Sequence, residues 1–355
     1  MRVIILLLFL TILMPPIVSD AQVTEPEKTK KTRKTLVSVP VSVSDREGHY
    51  INGLKKDDFT IFEDGTEQDI TFFAKFDEPL NVVLLLDTSV STSNSMDKIK
   101  DAAKDFIELL NENDKCLITT FDSQINILGL FTSNQDKLKD SVDSIQTATQ
   151  NGTKIYRAVE QSIQQSFKNV QGRKAIVLLS DGKDAGSSVT KNQLLNLLEE
   201  SEVLIYTVFY KTGAGSNKLV IDADGTVKAV TDGKKKPKKK PKKNKSNDDY
   251  SVYIPAQVGL PSQEEIELVE QNADIEAIKS LQEFSDTTSG RFYLSDNTKL
   301  RQVFKKVAGE LRQQYRLGYR SQEAGNDTDV RNIIVKVKRS DVVVHARGRF
   351  RAKKL

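Results

Sequence analysis

The sequence predicts an α/β protein: a doubly wound, mostly parallel sheet of about six strands, with a small flanking β-sandwich built by the N- and C-terminal segments. Three observations carry this expectation. Short, continuously apolar runs at Val82–Leu86 and Ala175–Leu179, and the largely apolar Val203–Phe209, read as strands buried on both faces of a parallel sheet. Between them lie longer segments with apolar residues three and four apart, the spacing of amphipathic helices. Before and after this region, apolar residues recur at every second position, as half-buried strands require.

At 355 residues the chain exceeds what one compact core usually holds, which favours two structured parts. The first residues read as an export signal over 1–21. Arg2 gives a positive start, Val3 to Met14 is an almost unbroken apolar run, and Pro15-Pro16 ends it. Ser19 and Ala21 then occupy the small-residue positions of a cleavage site before Gln22. The run is short for a bilayer span, so a cleaved signal is expected rather than a retained anchor. Cys116 is the single cysteine, so no internal disulfide can form. Export without disulfides fits a bacterial protein of the periplasm or cell envelope, or a secreted one. The polar, lysine-rich stretch 22–35 is expected to be a basic linker.

Alternation begins at Leu36, with Val37, Val39, Val41 and Val43 on one face. Asp45 to Gly48 reads as a turn, and Phe59–Phe62 with Ile70–Phe76 as a hairpin around Glu63-Asp64-Gly65. The segment 36–78 is therefore expected to be all β. A different pattern runs over 80–312. Val82–Leu86 ends in Asp87, and Met96–Leu110 follows with helical spacing at Ile99, Ala103, Phe106 and Leu110. Cys116–Phe121 and Ile125–Phe131 are expected strands. Leu138, Val142 and Ile145 mark a helix, and Ile155, Val159, Ile163 and Phe167 another. Ala175–Leu179 leads into Ser180-Asp181-Gly182, and a helix at Leu194–Leu198 precedes Val203–Phe209. This alternation of strand and helix places crossover helices on both faces of the sheet.

The alternation breaks over about 211–262, with a hairpin (Leu219–Ile221, Val227–Val230) and a lysine-proline tract, expected to be a flexible insertion. Helical spacing resumes at Ile275–Phe284, followed by a strand at Arg291–Leu294 and a helix at Leu300–Leu311. The closing segment 313–355 returns to strands at Tyr315–Tyr319, Asn332–Val337 and Val342–Phe350. Each flank alone has too few strands to be stable, so 313–355 is expected to pair with 36–78.

The formal charge of +4 is concentrated in one place, because nine lysines lie between Lys234 and Lys245. Setting these aside, 44 basic residues remain against 49 acidic ones, so the body is mildly acidic. That balance argues against a nucleic-acid-binding surface. The lysine run itself reads first as a solvated charge tract, and second as a weak contact for anionic lipid or surface polymer.

Three pieces carry chemistry. Asp87-Thr88-Ser89-Val90-Ser91 begins where the first buried strand ends, Thr153 opens a helix after Asn151-Gly152, and Asp181 follows the second buried strand. In a doubly wound sheet, ligands bind in the crevice outside the carboxyl ends of the strands, so both aspartates are expected at that edge. Two carboxylates and three hydroxyls are hard oxygen donors, suited to Mg²⁺, Mn²⁺ or Ca²⁺. Zinc or copper would want imidazole or thiolate, and the chain has only His49, His345 and Cys116. Such a donor set does not saturate the cation, so an anionic oxygen from outside can complete it.

Asp87-x-Ser89-x-Ser91 with Thr153 and Asp181 resembles the metal-ion-dependent adhesion site of von Willebrand factor A domains, whose fold is a Rossmann-like doubly wound sheet. All five positions of that motif are filled. The resemblance implies that Ser89, Ser91 and Thr153 contact the ion, that Asp87 and Asp181 act directly or through water, and that an Asp or Glu of a protein partner completes the shell. It covers about 80–312. The flanks, with Asp57-Asp58-Phe59, Phe62-Glu63-Asp64-Gly65 and Gln314 to Tyr319, resemble a narrower group of bacterial VWFA-related proteins of acidobacterial type. The lysine-rich insertion departs from that pattern.

Each residue also has a plainer reading. Ser89, Ser91 and Thr153 can be turn or cap residues, and Asp181-Gly182 an ordinary turn. A reading of another class is a Mg²⁺-dependent, haloacid-dehalogenase-like phosphatase with Asp87 as nucleophile and Asp181-Gly182-Lys183-Asp184 as its later element. Such an enzyme needs a second carboxylate as general acid where Ser89 stands, and a serine has no proton to give near neutral pH. No Gly-x-Ser-x-Gly elbow or P-loop occurs in the chain. The expectation is therefore a non-enzymatic, exported binding module, with a purely structural metal as the remaining alternative.

Overall fold

The computed structural model describes residues 34–47, 49–75, 78–210, 217–221, 227–231, 272–295, 299–322 and 330–351. The expected export signal, nearly all of the linker and the lysine-proline tract lie outside the described residues.

The central sheet has six strands: β5 (Leu80–Asp87), β6 (Lys115–Phe121), β7 (Ile125–Thr132), β8 (Arg173–Ser180), β9 (Leu204–Tyr210) and β12 (Phe292–Ser295). Their spatial order is β12-β9-β8-β5-β6-β7. All neighbours are parallel except β6 and β7, which form an antiparallel pair. The chain thus starts in the middle and winds outward to each side, as the fold class expected. Every residue of β5 is buried, including Asp87. Its side chains alternate between two cores. Val82, Leu84 and Leu86 pack with α1 (Met96–Glu108), α2 (Gln135–Asp143) and α6 (Leu300–Leu311). Val83 and Leu85 face α3 (Ile155–Gln161), α4 (Lys191–Glu200) and α5 (Asn272–Thr288).

The helices follow from apolar stripes. In α1 the buried residues Met96, Ile99, Ala103, Phe106 and Ile107 repeat at helical spacing. In α6 Leu300, Val303, Phe304, Val307 and Leu311 do the same, and Phe304 meets Phe106 with ring centroids 5.7 Å apart. The third helix, α3, differs from expectation. It is α only to Gln161 and then widens into a π turn at Ser162–Ser166, where the Ser162 hydroxyl bonds the Ala158 carbonyl. Among the described residues no helix is long and apolar enough to cross a membrane.

The two flanks form one sandwich of two four-stranded sheets. One has the order β15-β1-β13-β4, from Val343–Ala346, Lys34–Ser44, Tyr315–Gln322 and Ile70–Lys75. The other is β16-β14-β2-β3, from Arg349–Arg351, Val330–Val337, Phe59–Glu63 and Thr66–Gln68. The remaining pair, β10 (Asn217–Ile221) and β11 (Val227–Thr231), is a separate two-stranded antiparallel sheet. Val37, Val39, Val41 and Val43 point inward onto Phe59, Ile61, Tyr315, Leu317, Tyr319 and Ile333. Two strand partners differ from the sequence expectation. The expected Phe59–Phe62/Ile70–Phe76 hairpin does not form: β2 pairs with the short β3, and β4 crosses to the opposite sheet beside β13. Likewise Val342–Phe350 is two strands in different sheets, interrupted at Arg347-Gly348. There Arg347 turns away from the sandwich, and its guanidinium donates to the Glu199 and Ser201 carbonyls at the end of α4, at 2.8 and 3.2 Å.

Candidate metal centre

Strand β5 delivers Asp87 at its last residue, and β8 ends one residue before Asp181. Because β5 and β8 are adjacent and parallel, both carboxylates arrive at the same sheet edge. Direct hydrogen bonds then join four of the five predicted residues. The Ser89 amide donates to Asp87 Oδ1 at 2.9 Å. The hydroxyls of Ser89 and Ser91 lie 3.1 Å apart, and Ser91 Oγ donates to Asp181 Oδ2 at 2.8 Å. A 3-10 turn at Val90–Ser95 follows, closed by Thr92, whose hydroxyl lies 2.8 Å from the Ser89 carbonyl and 3.1 Å from that of Asp87.

Thr153 reaches the cluster through the backbone. It pairs with Ala185, four residues after Asp181, by reciprocal amide–carbonyl bonds of 3.0 and 2.7 Å. The residue is buried. Helix α3 starts at Ile155, with Lys154 and not Thr153 in the capping position. Ser89 precedes its 3-10 turn without a side-chain capping bond. The plain helix-cap readings of Ser89 and Thr153 therefore do not describe their hydroxyls.

Three supporting residues were not read from the sequence. Ser180 is wholly buried; its hydroxyl donates to Asp87 Oδ2 at 2.6 Å and accepts the Gly182 amide at 2.9 Å, tying the two carboxylate loops together. A polar residue ending the apolar run of β8 was the only local sign of it. Asp122 accepts the Thr88 hydroxyl at 3.0 Å through its carboxylate and the Lys154 amide at 2.9 Å through its carbonyl. It thereby links the Asp87 loop to the Thr153 loop from the β6–β7 turn. Asp184 bonds the first turn of α3. Such partners come from distant loops, and no local spacing announces them.

Burial, reinforced by the like charge of Asp181, pushes the Asp87 carboxyl up to about 6, against hydrogen bonds from Ser180 and Ser89 that favour its anion. A desolvated carboxylate beside a second one is the electrostatic setting that a cation relieves. The donor chemistry fits a hard divalent ion, with Asp87 and Asp181 for charge and Ser89, Ser91 and Thr153 as neutral oxygens. Among the described residues no group of three or more His, Cys, Asp or Glu lies together, here or elsewhere, so the donor set rests on two carboxylates and three hydroxyls.

Among solved structures, the chain is similar to the protein BatB from Bacteroides thetaiotaomicron, with 16% identity over 65% of this chain and 98% of that one and a TM-score of 0.41. It is similar to proximal thread matrix protein 1 from the mussel byssus, solved with a zinc-occupied MIDAS motif, at 13% identity over 72% and 50% of the two chains and a TM-score of 0.46. A von Willebrand factor type A structure from Catenulispora acidiphila covers 92% of this chain and 74% of its own, at 11% identity and a TM-score of 0.43. No curated protein matches the sequence. Residues 82–183 match the family model of the von Willebrand factor type A domain, and that stretch contains Asp87, Ser89, Ser91, Thr153 and Asp181.

Proposed function

We propose that this chain is a non-enzymatic binding module of the cell envelope or exterior. It holds Mg²⁺, or Mn²⁺ or Ca²⁺ in its place, with Asp87, Ser89, Ser91, Thr153 and Asp181. An Asp or Glu of a protein partner completes the ion's shell. The observation that carries this reading is the hydrogen-bonded chain Asp87–Ser89–Ser91–Asp181 at the carboxyl edge of the sheet, with the buried Thr153 tied by its backbone to Ala185 in the Asp181 loop. The match of 82–183 to the von Willebrand factor type A domain supports it. The bound ion would supply a positive centre for an external carboxylate; the protein's own part is to hold the five oxygen-bearing side chains together at one sheet edge.

The test is calorimetric titration of the full chain with Mn²⁺ and Mg²⁺, together with capture of envelope proteins on the immobilised chain. Binding of the ion is expected in the wild type and lost in Asp87→Ala, and capture should require the ion and fail with chelator. Ion binding with no ion-dependent partner would leave the metal a structural role. Phosphatase turnover that disappears in Asp87→Ala would replace the proposal with an enzyme.

A further inference from the structure

Asp184 lies three residues beyond Asp181 and takes no part in the proposed donor set, yet it is built into the support of the site. Helix α3 has no cap of its own, because Lys154 makes no side-chain bond to its first turn. Instead Asp184 Oδ1 accepts the Tyr156 amide at 3.1 Å and the Ser187 hydroxyl at 2.6 Å. Ser187 Oγ in turn accepts the Arg157 amide at 3.2 Å. Two amides that a helix start leaves without partners are thus satisfied from the loop after β8. The same loop holds both backbone bonds of Thr153 through Ala185. Gly186, at φ +100°, makes the left-handed step between Ala185 and Ser187.

We infer that Asp184 is a positioning residue for the cation site: by capping α3 from the neighbouring loop, it holds the Thr153 hydroxyl in register with Asp181 before any ion arrives. The inference rests on the reading of the site as a cation centre. Its physical basis is that ordering a ligand loop has an entropic cost, which falls on ion binding when the apo protein has not already met it. Without the carboxylate, the Tyr156 amide and the Ser187 hydroxyl lose their acceptor, and Thr153 is left on its two backbone bonds to Ala185 and the neighbouring Lys154–Asp122 bond.

The experiment uses the full chain and Mn²⁺ titration on the wild type, Asp184→Ala, Asp184→Asn, Ser187→Ala, Thr153→Ala, Asp181→Ala and the double variant Thr153→Ala/Asp184→Ala. Amide exchange at Tyr156 is followed in the metal-free protein. Asp184→Ala should weaken Mn²⁺ binding about tenfold and speed Tyr156 exchange. Asp184→Asn keeps the accepting oxygen and should stay near wild type, which a residue acting as an ionic ligand would not. In the Thr153→Ala background, Asp184→Ala should cost no further affinity. Unchanged affinity in Asp184→Ala, or a loss just as large without the Thr153 hydroxyl, overturns the inference. If Asp184→Ala does not fold, Ser187→Ala serves, with a smaller loss expected and no loss counting against. Wild type that does not bind Mn²⁺, or Asp181→Ala that binds it equally well, removes the cation reading itself and the inference with it.

Discussion

Cys116 stands on β6 with no exposed surface, and burial pushes its thiol up to about 12. Only the thiolate attacks disulfides and alkylating agents, so the side chain behaves as a small hydrophobe in the native protein. The native chain should therefore leave a disulfide reagent unreacted at pH 8, and release one equivalent of thiol only in denaturant. Fast stoichiometric labelling of the native chain would show that β6 opens locally. Asp87 is the opposite case at the same scale. It is equally buried, but it accepts the Ser180 hydroxyl and the Ser89 amide, which partly offset the cost that burial sets on its charge.

At the scale of the element, the turn after β8 depends on Gly182. Its φ is +76°, in the left-handed region, and it lies against α5. A Cβ there would sit 2.9 Å from Ala277 Cβ and 3.1 Å from Leu281 Cδ1. Both contacts are with a helix packed in the core, so neither can easily give way. Gly182→Ala should therefore destabilise by about 1–3 kcal/mol, from strain and overpacking together. The measurement is the urea midpoint at constant slope, and a midpoint equal to wild type would mean that α5 yields at no cost. The same helix meets the loop again where Lys183 pairs with Asp274 at 2.6 Å, a half-exposed contact expected to add little.

For the whole molecule, the coupling of sandwich to α/β body is concentrated at Glu310. This carboxylate of α6 is wholly buried and accepts Arg291 Nε at 2.9 Å and the Ser42, Tyr50 and Tyr293 hydroxyls at 3.0 Å each. Ser42 and Tyr50 belong to the sandwich segment; Arg291, Tyr293 and Glu310 to the body. Burial alone would raise the Glu310 carboxyl, but Arg291 and the hydroxyl donors outweigh it and hold it below its ordinary value. Nearby, burial lowers His345 below its ordinary 6.5, and its ring bonds the Gly290 carbonyl. Both shifts make the unfolded state take protons first as pH falls. The stability held by these two groups should therefore be lost from about 6.5 downward, where unfolded His345 becomes charged, and further below 4.5, the ordinary Glu310 value, while Asp87 and Asp286, both raised by burial to about 6, oppose the loss because they take protons first in the folded state. Denaturant midpoints between pH 8 and 4 check this, and His345→Asn should remove the first step alone. Glu310→Ala, which strands Arg291 in the interface, should cost about 3–5 kcal/mol.

Much of this architecture was legible in the residues alone. Val82–Leu86, Ala175–Leu179 and Val203–Phe209 could only be strands covered on both sides, and the helical stripes between them require crossovers over both faces. Parallel strands end at one edge, so Asp87 and Asp181 were bound to meet there. Tertiary structure alone decided the rest. Periodicity reports which side of a strand is buried, not which strand lies beside it, so β4 and the divided β15–β16 could not be assigned to their sheets. Thr153 could be read as opening a helix, but its closeness to the Asp181 loop depends on Ala185 and Asp184. Asp122 and Glu310 carry no local pattern, and Ser180 only its place at the end of an apolar run, because hydrogen bonds between distant loops form only after the chain has packed.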